Sequence, residues 1–351
     1  MKFSSPDNYG VEFTFHDERI LKLKNRIGEY PEIAELISLG ESEEGRQIAG
    51  LKIGNGDKRI SLMAGAHADE PVGPETLAFF ADQILIHATE NQELLDTFTF
   101  FIIPHINPDG EMRNKEWIER FPNPVSLIKY RHREPPGRDI EFGYPDMRPE
   151  NRAASNWWKE NAPFELHINL HGMPISEGAL LLIDRDSVQK TKDLQRWYHQ
   201  YIRDSGFGFH DHDRNGEKGF TRIGTGLSTT PESEKMKAHF KNSGHEETAS
   251  LFHQNSMEYL KSLGGKTASL VTEFPLFKLP STAEESPGYP ENYINWQEQQ
   301  PLIQHRIETG KPHKDLLDSL SIQHVLLSDG IKMQLKIIKL GLNMSALKKS
   351  T

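Results

Sequence analysis

The sequence predicts an α/β fold: a mixed, largely parallel central sheet flanked by helices. Two observations carry this. Apolar runs of strand length alternate with segments of helical periodicity along the chain. The chemically distinctive residues His67, Asn107, His171 and Glu273 all fall at or just past the ends of apolar runs. In an open α/β sheet, the edge beyond the carboxyl ends of the strands is where ligands bind.

The elements follow in order. Residues 17–30 carry Ile20, Leu21, Leu23 and Ile27 at helical spacing, and Pro31 ends that helix or starts the next turn. Residues 35–55 read as two strands around a polar turn from Gly40 to Arg46. Arg59 to Ala66 is a short apolar run ending in small residues, as a buried strand requires. A helix is expected over Glu75 to His87, and further buried strands at Phe98–His105, Leu166–His171 and Ser269–Phe274. Residues 112–165, rich in Pro, Arg and Glu, read as long loops with short helical pieces. Residues 206–247 read as a partly exposed insertion bearing Gly, Ser and Thr, and 281–312 as loop. From Lys314 to Leu347, Leu and Ile at helical spacing predict two helices broken near Ser328–Gly330. The expected organisation is a catalytic domain over 1–280, with its insertion at about 206–250, and a loop and helical extension over 281–351 packed on it.

Composition narrows the function. The formal net charge of -10 disfavours nucleic acid and anionic membrane surfaces as partners. With no cysteine, disulfides and thiolate ligands are impossible, so any zinc site must use His and carboxylates. The opening MKFSSPDNYGVEF lacks a basic start followed by an apolar stretch, and no window approaches 18 uninterrupted apolar residues. Cytoplasmic location is the expectation.

Gly65-Ala66-His67-Ala68-Asp69-Glu70 follows a predicted strand. His and Glu three apart on a turn can face one centre. Neutral imidazole and carboxylate are good zinc ligands, and a catalytic site takes three protein ligands and keeps one position open. Leu170-His171-Gly172, at another strand end, supplies a third donor. His-x-x-Glu alone recurs by chance in a chain with 16 histidines, so the shared strand-end placement carries the weight. Glu273, in Leu270-Val271-Thr272-Glu273-Phe274-Pro275, ends an apolar strand. There a carboxylate is either ion-paired at the sheet rim or poised as a general base.

Taken in order, these segments resemble the zinc carboxypeptidase family over about residues 18–280. The opening Tyr30-Pro31, the hairpin Leu39 to Arg46 and the strand Ile48 to Ile53 resemble that family's start. Gly65 to Glu70 resembles its first zinc motif, and Asn107-Pro108-Asp109-Gly110 its N-P-D-G turn. Leu170-His171-Gly172 and Thr272-Glu273 resemble the segments bearing the third ligand and the catalytic glutamate. The resemblance implies one zinc ion on His67, Glu70 and His171, with Glu273 as general base. It implies an arginine that polarises the scissile carbonyl, for which Arg131 in Tyr130-Arg131-His132-Arg133 is the candidate. It also implies an Asn-Arg pair holding the carboxylate of a peptide or peptide-like substrate, for which Asn151 and Arg152 are the candidates.

The sequence departs from the family pattern around that pair, which reads Asp146-Met147-Arg148-Pro149-Glu150-Asn151-Arg152, so Arg148 and Arg113 are rivals. Tyr259 is the nearest tyrosine upstream of Glu273, without a secure role. The expected function is hydrolysis of a C-terminal amide bond of a peptide by zinc-promoted water. The alternative is an acyl-amino-acid amidohydrolase of the succinylglutamate desuccinylase or aspartoacylase type. A catalytically dead binding module on the same fold is the third reading, against which stand all three ligands and Glu273. His210-Asp211-His212-Asp213 reads as solvated loop rather than a second metal site. Trp157, Trp158 and Trp197 read as packing residues.

Overall fold

The computed structural model describes residues 1–8, 13–281 and 288–346. Its strands are β1 (Ala34–Glu41), β2 (Gln47–Ile53), β3 (Lys58–Ala64), β4 (Phe98–Ile103), β5 (Leu166–Leu170), β6 (Met173–Ser176), β7 (Leu180–Ile183), β8 (Arg222–Gly224), β9 (Leu227–Thr229), β10 (Ala268–Glu273), β11 (Pro275–Lys278) and β12 (Gln323–His324). Nine of them form one sheet in the order β1-β2-β4-β3-β5-β10-β7-β9-β8. The remaining three form a small sheet, β12-β11-β6. The middle of the large sheet, β4-β3-β5-β10, is parallel throughout, with antiparallel strands on both sides. This is the expected mixed α/β architecture.

The sheet is covered on both faces, which is why its central strands are apolar without alternation. Successive residues of β3 point to opposite sides. Ile60, Leu62 and Ala64 join one core cluster, and Met63 joins another with Trp157 and Trp158. Helices Val72–Ile86 and Leu327–Ala346 pack together on the first face, and helix Pro149–Asn161 lies against the second. The C-terminal helix approaches closely because Gly341 has no side chain. A Cβ there would stand 2.9 Å from Leu166 Cδ2.

Register matters most for the site. Ala64 pairs with Leu170, and Leu170 pairs with Thr272. The carboxyl ends of β3, β5 and β10 therefore lie level, side by side.

Some sequence expectations need correction. Residues 112–165 hold more helix than expected, with helices at Pro108–Ile118, Pro124–Tyr130 and Pro149–Asn161, each with a proline in its first turn. The expected loop 281–312 contains an 18-residue helix, Glu291–Glu308, with Pro301 inside it. Its Gln-rich surface hid a narrow buried stripe of Trp296, Ile303 and Ile307. The C-terminal break falls between helices Lys314–Ser319 and Leu327–Ala346, so Ser328 and Gly330 are helical. Residues 282–287 of the expected loop, and the expected helix end at Leu347, lie outside the described residues.

Gln334 of the last helix is fully buried against the site's scaffold. Its amide donates to the His171 carbonyl at 3.0 Å and to Thr272 Oγ1 at 3.2 Å, and its carbonyl accepts from Thr76 Oγ1 at 2.6 Å. One side chain thus ties β5, β10 and helix Val72–Ile86 together. Replacing Gln334 with Ala strands these buried groups and is expected to destabilise the fold by about 1–3 kcal/mol. Urea denaturation of the two proteins measures this, and equal midpoints would refute the account.

Candidate metal centre

The turn after β3 is shaped by Gly65. Its φ of 77° is left-handed, and a Cβ would stand 2.5 Å from the His105 ring, so only glycine fits. The turn delivers His67 and Glu70 to the level of His171, which follows β5 directly. His67 Nδ1 lies 3.0 Å from Glu70 Oε1, and His171 Nδ1 lies 2.9 Å from Glu70 Oε2. The two Nδ1 atoms stand 2.8 Å apart. Among the described residues, these three side chains form the one group of His and carboxylate donors converging on a single point.

The outer face of each imidazole is backed by a carboxylate. Asp139 Oδ1 lies 3.4 Å from His67 Nε2, and Glu141 Oε2 lies 3.5 Å from His171 Nε2. Both acids come from one short turn at Asp139–Phe142. Glu141 is fixed by Asn169 Nδ2 at 2.6 Å and Ser256 Oγ at 2.8 Å. Such carboxylate–imidazole pairs set ring orientation and raise ligand basicity. Two imidazoles and a carboxylate, each oriented from behind, suit a catalytic zinc ion.

Asp69, between the two motif ligands, is also buried. It accepts from Arg133 Nη1 at 2.9 Å and faces Arg131 Nε at 3.3 Å. Arg133 Nη1 also reaches Glu70 Oε1 at 2.7 Å. Glu273 ends β10 beside His171 and Glu70, and no hydrogen bond fixes its carboxylate among the described residues.

These neighbours set the protonation states. Burial and Arg133 oppose a charged His67, but Glu70 and Asp139 outweigh them and hold it up to about 9. Burial likewise opposes a charged His171, and Glu141 and Glu70 raise it regardless. Burial first, then repulsion from Glu70, pushes Glu273 up to about 7.

The donors open onto a cleft of about 380 Å³. Arg131, Arg133 and Arg214 line it, as do Tyr293, Trp296 and Gln300 of helix Glu291–Glu308. An apolar wall is formed by Leu182, Phe220, Met257 and Val271.

The cleft thus gathers His67, Glu70, His171, Glu273 and Arg131 from the sequence reading. It does not gather Asn151 or Arg152. Asn151 is buried and donates to the Ile140 carbonyl at 2.8 Å, while Arg152 is exposed on the outer face of its helix. Of the rivals, Arg148 is buried against Glu150, and Arg113 pairs with Glu44 and Glu134. Tyr259 packs on Tyr144 and Trp158. His210 is buried on Glu177, and Asp211 holds Arg222, so that run is framework rather than solvated loop. Trp157 and Trp158 are buried, whereas Trp197 is 39% exposed.

Asp139, Glu141, Arg214 and Tyr293 were not singled out from sequence. The alternation of acids in Asp139-Ile140-Glu141 was a visible signal for the first two. Tyr293 lies in a segment with no motif.

The sequence profile of the zinc carboxypeptidase family matches residues 21–251. Carboxypeptidase D of Rattus norvegicus is 29% identical over 174 residues, 46% of this chain and 12% of that protein. Zinc carboxypeptidase A 1 of Drosophila melanogaster is 37% identical over 89 residues, 23% of this chain and 21% of that protein. The chain therefore matches only a minor part of these relatives' length. Among solved structures, carboxypeptidase A from Helicoverpa armigera superposes with a TM-score of 0.56 at 14% identity, covering 97% of this chain and 75% of that one. That likeness is one of fold.

Glu141→Gln and Asp139→Asn are each expected to weaken zinc binding about 10- to 100-fold in chelator competition. A ligand imidazole must be neutral to bind metal. Because His67 is held up to about 9, zinc affinity should rise with pH toward that value, with proton release on binding. Affinity that is flat between pH 6 and about 9 would contradict this assignment.

Proposed function

Because the chain belongs to the zinc carboxypeptidase family, we propose that it is a metallocarboxypeptidase that hydrolyses the C-terminal amide bond of a peptide, using one zinc ion. The observation carrying this reading is the convergence of His67, Glu70, His171 and Glu273 at the level ends of three adjacent parallel strands. Residues 1–280 as catalytic domain, 281–351 as an extension completing the cleft, and cytoplasmic location belong to the same proposal. The family match does not favour the acyl-amino-acid amidohydrolase reading.

A zinc ion on His67, Glu70 and His171 would act as a Lewis acid and lower the pKa of a water ligand to about 7. The chain's own residues supply the rest. Glu273 takes the proton as the water oxygen bonds to the carbonyl carbon, then delivers it to the nitrogen as the C–N bond breaks. Arg131 and Arg133 face the same space and stabilise negative charge growing on the carbonyl oxygen. A preorganised donor of this kind is often worth about 3–4 kcal/mol. Asp69 holds both guanidiniums in place beforehand.

Glu273→Gln should lower turnover of C-terminally varied peptides by about 10²- to 10⁴-fold while zinc content stays unchanged. Full activity with zinc bound would eliminate Glu273 as the base. A divalent ion nearby favours the carboxylate form. Since the base works deprotonated, activity should fall on acidification, with a midpoint at or below about 7.

A further inference from the structure

Among the described residues, three guanidiniums line the cleft, and two are already engaged. Arg131 and Arg133 face the carboxylate of Asp69, and Arg133 also holds Glu70. Arg214 differs. Among the described residues, it has no hydrogen bond and no ion pair. Its guanidinium instead lies 4.4 Å above the centre of the Phe220 ring. Its charge still reaches the reacting end of the cleft, where it favours the ionised forms of Glu273 and Tyr293. An unpaired cation beside the catalytic carboxylate is positioned for an anion that comes with the substrate.

The backbone reinforces this. Arg214 sits at φ 52°, in the left-handed region that a non-glycine residue rarely adopts. Asp213 fixes the turn by accepting from Asn215 N at 3.0 Å, and the Asp213 carbonyl accepts from Gly216 N at 3.0 Å. Residues held this way cluster at ligand clamps.

Phe220 also joins Arg214 to a second feature. Beneath the guanidinium its ring walls an apolar recess completed by Leu182, Met257 and Val271, all buried. None of these side chains carries a hydrogen-bonding group that could satisfy a charged occupant. An unpaired ammonium or carboxylate there would be strongly disfavoured. Methionine adapts to irregular apolar shapes, so Met257 suits branched and aromatic occupants alike.

We propose that Arg214 and the apolar recess beside Phe220 together select the substrate's terminal residue: the guanidinium pairs with its free carboxylate, and the recess takes a large apolar side chain such as that of leucine, methionine or phenylalanine. This rests on the carboxypeptidase reading and replaces Asn151 and Arg152 as the carboxylate partner. The recognition is a charge-assisted, planar pairing, for which lysine is a poorer substitute.

The test has a kinetic arm and a binding arm, both on the zinc-loaded full chain. In the first, peptides differing only at the last residue are compared as free acids and amides. Leucine, methionine and phenylalanine acids should be cleaved best. Arg214→Ala should raise KM for the acids about 10- to 100-fold, with Arg214→Lys restoring part of the loss. Met257→Asp should shift preference toward peptides ending in lysine or arginine. In the second arm, calorimetry on Glu273→Gln compares N-acetylphenylalanine, its amide and N-acetyllysine. Only the first should bind well, and Arg214→Ala should remove that preference. Binding as expected without cleavage of any peptide would defeat the carboxypeptidase reading and leave this one standing. Cleavage with preference for charged terminal residues, or unchanged KM and binding in a folded Arg214→Ala, would overturn this proposal.

Discussion

Charge balance in a confined space governs this site. Among the described residues, five carboxylates, on Asp69, Glu70, Asp139, Glu141 and Glu273, line one cleft with three guanidiniums. The excess of acid over guanidinium is two negative charges. Buried carboxylates without partners are strongly disfavoured. The side chains themselves offset this excess. His67 and His171 are held in their charged forms, and Glu273 is pushed toward its neutral form. A divalent cation would remove the need for both adjustments. Held by His67, Glu70 and His171, it would favour neutral imidazoles and an ionised Glu273, the state a general base requires. The excess of acids is thus the feature of this site that would favour a metal cation.

That arrangement holds only because the sheet keeps three strand ends level. A shift of one residue in β5 or β10 would turn His171 or Glu273 to the opposite face. The register is defended from outside the strands. Gln334 bonds the His171 carbonyl and Thr272 at once, and Gly341 lets the same helix lie close against Leu166. Both residues belong to the last helix, and Tyr293 and Trp296 of helix Glu291–Glu308 wall the cleft. The C-terminal segments thus act on ligand placement and on cleft shape, although they lie beyond the region matched to the family.

The sequence made the strand-end residues legible for a simple reason. A polar residue closing an apolar strand breaks a strong pattern, so His67, His171 and Glu273 stood out, and Glu70 followed from its spacing. The fold class was legible for the same reason. The rest depended on side-chain direction, which composition does not reveal. Asn151-Arg152 carried suitable chemistry, but helix Pro149–Asn161 turns Asn151 inward to Ile140 and Arg152 outward to solvent. Asp139 and Glu141 alternate across Ile140, a pattern that puts both acids on one side of an extended segment, but they sit on a short turn and only the fold sets them behind the two histidines. Helix Glu291–Glu308 was obscured because Pro301 and a glutamine-rich surface outweighed three buried residues.

Asp69 shows how one unremarked residue divides labour among the arginines. It lies between two metal-ligand positions, is 1% exposed, and holds Arg131 and Arg133 against the ligand shell. Guanidiniums fixed in this way need little reorganisation when charge develops nearby, which is the basis of electrostatic catalysis. The same pairing makes them poor anchors for a substrate carboxylate, because an arriving anion would compete with Asp69 for donors already in use. Arg214, which among the described residues has no hydrogen bond or ion pair and lies over the Phe220 ring in the same cleft, faces no such competition.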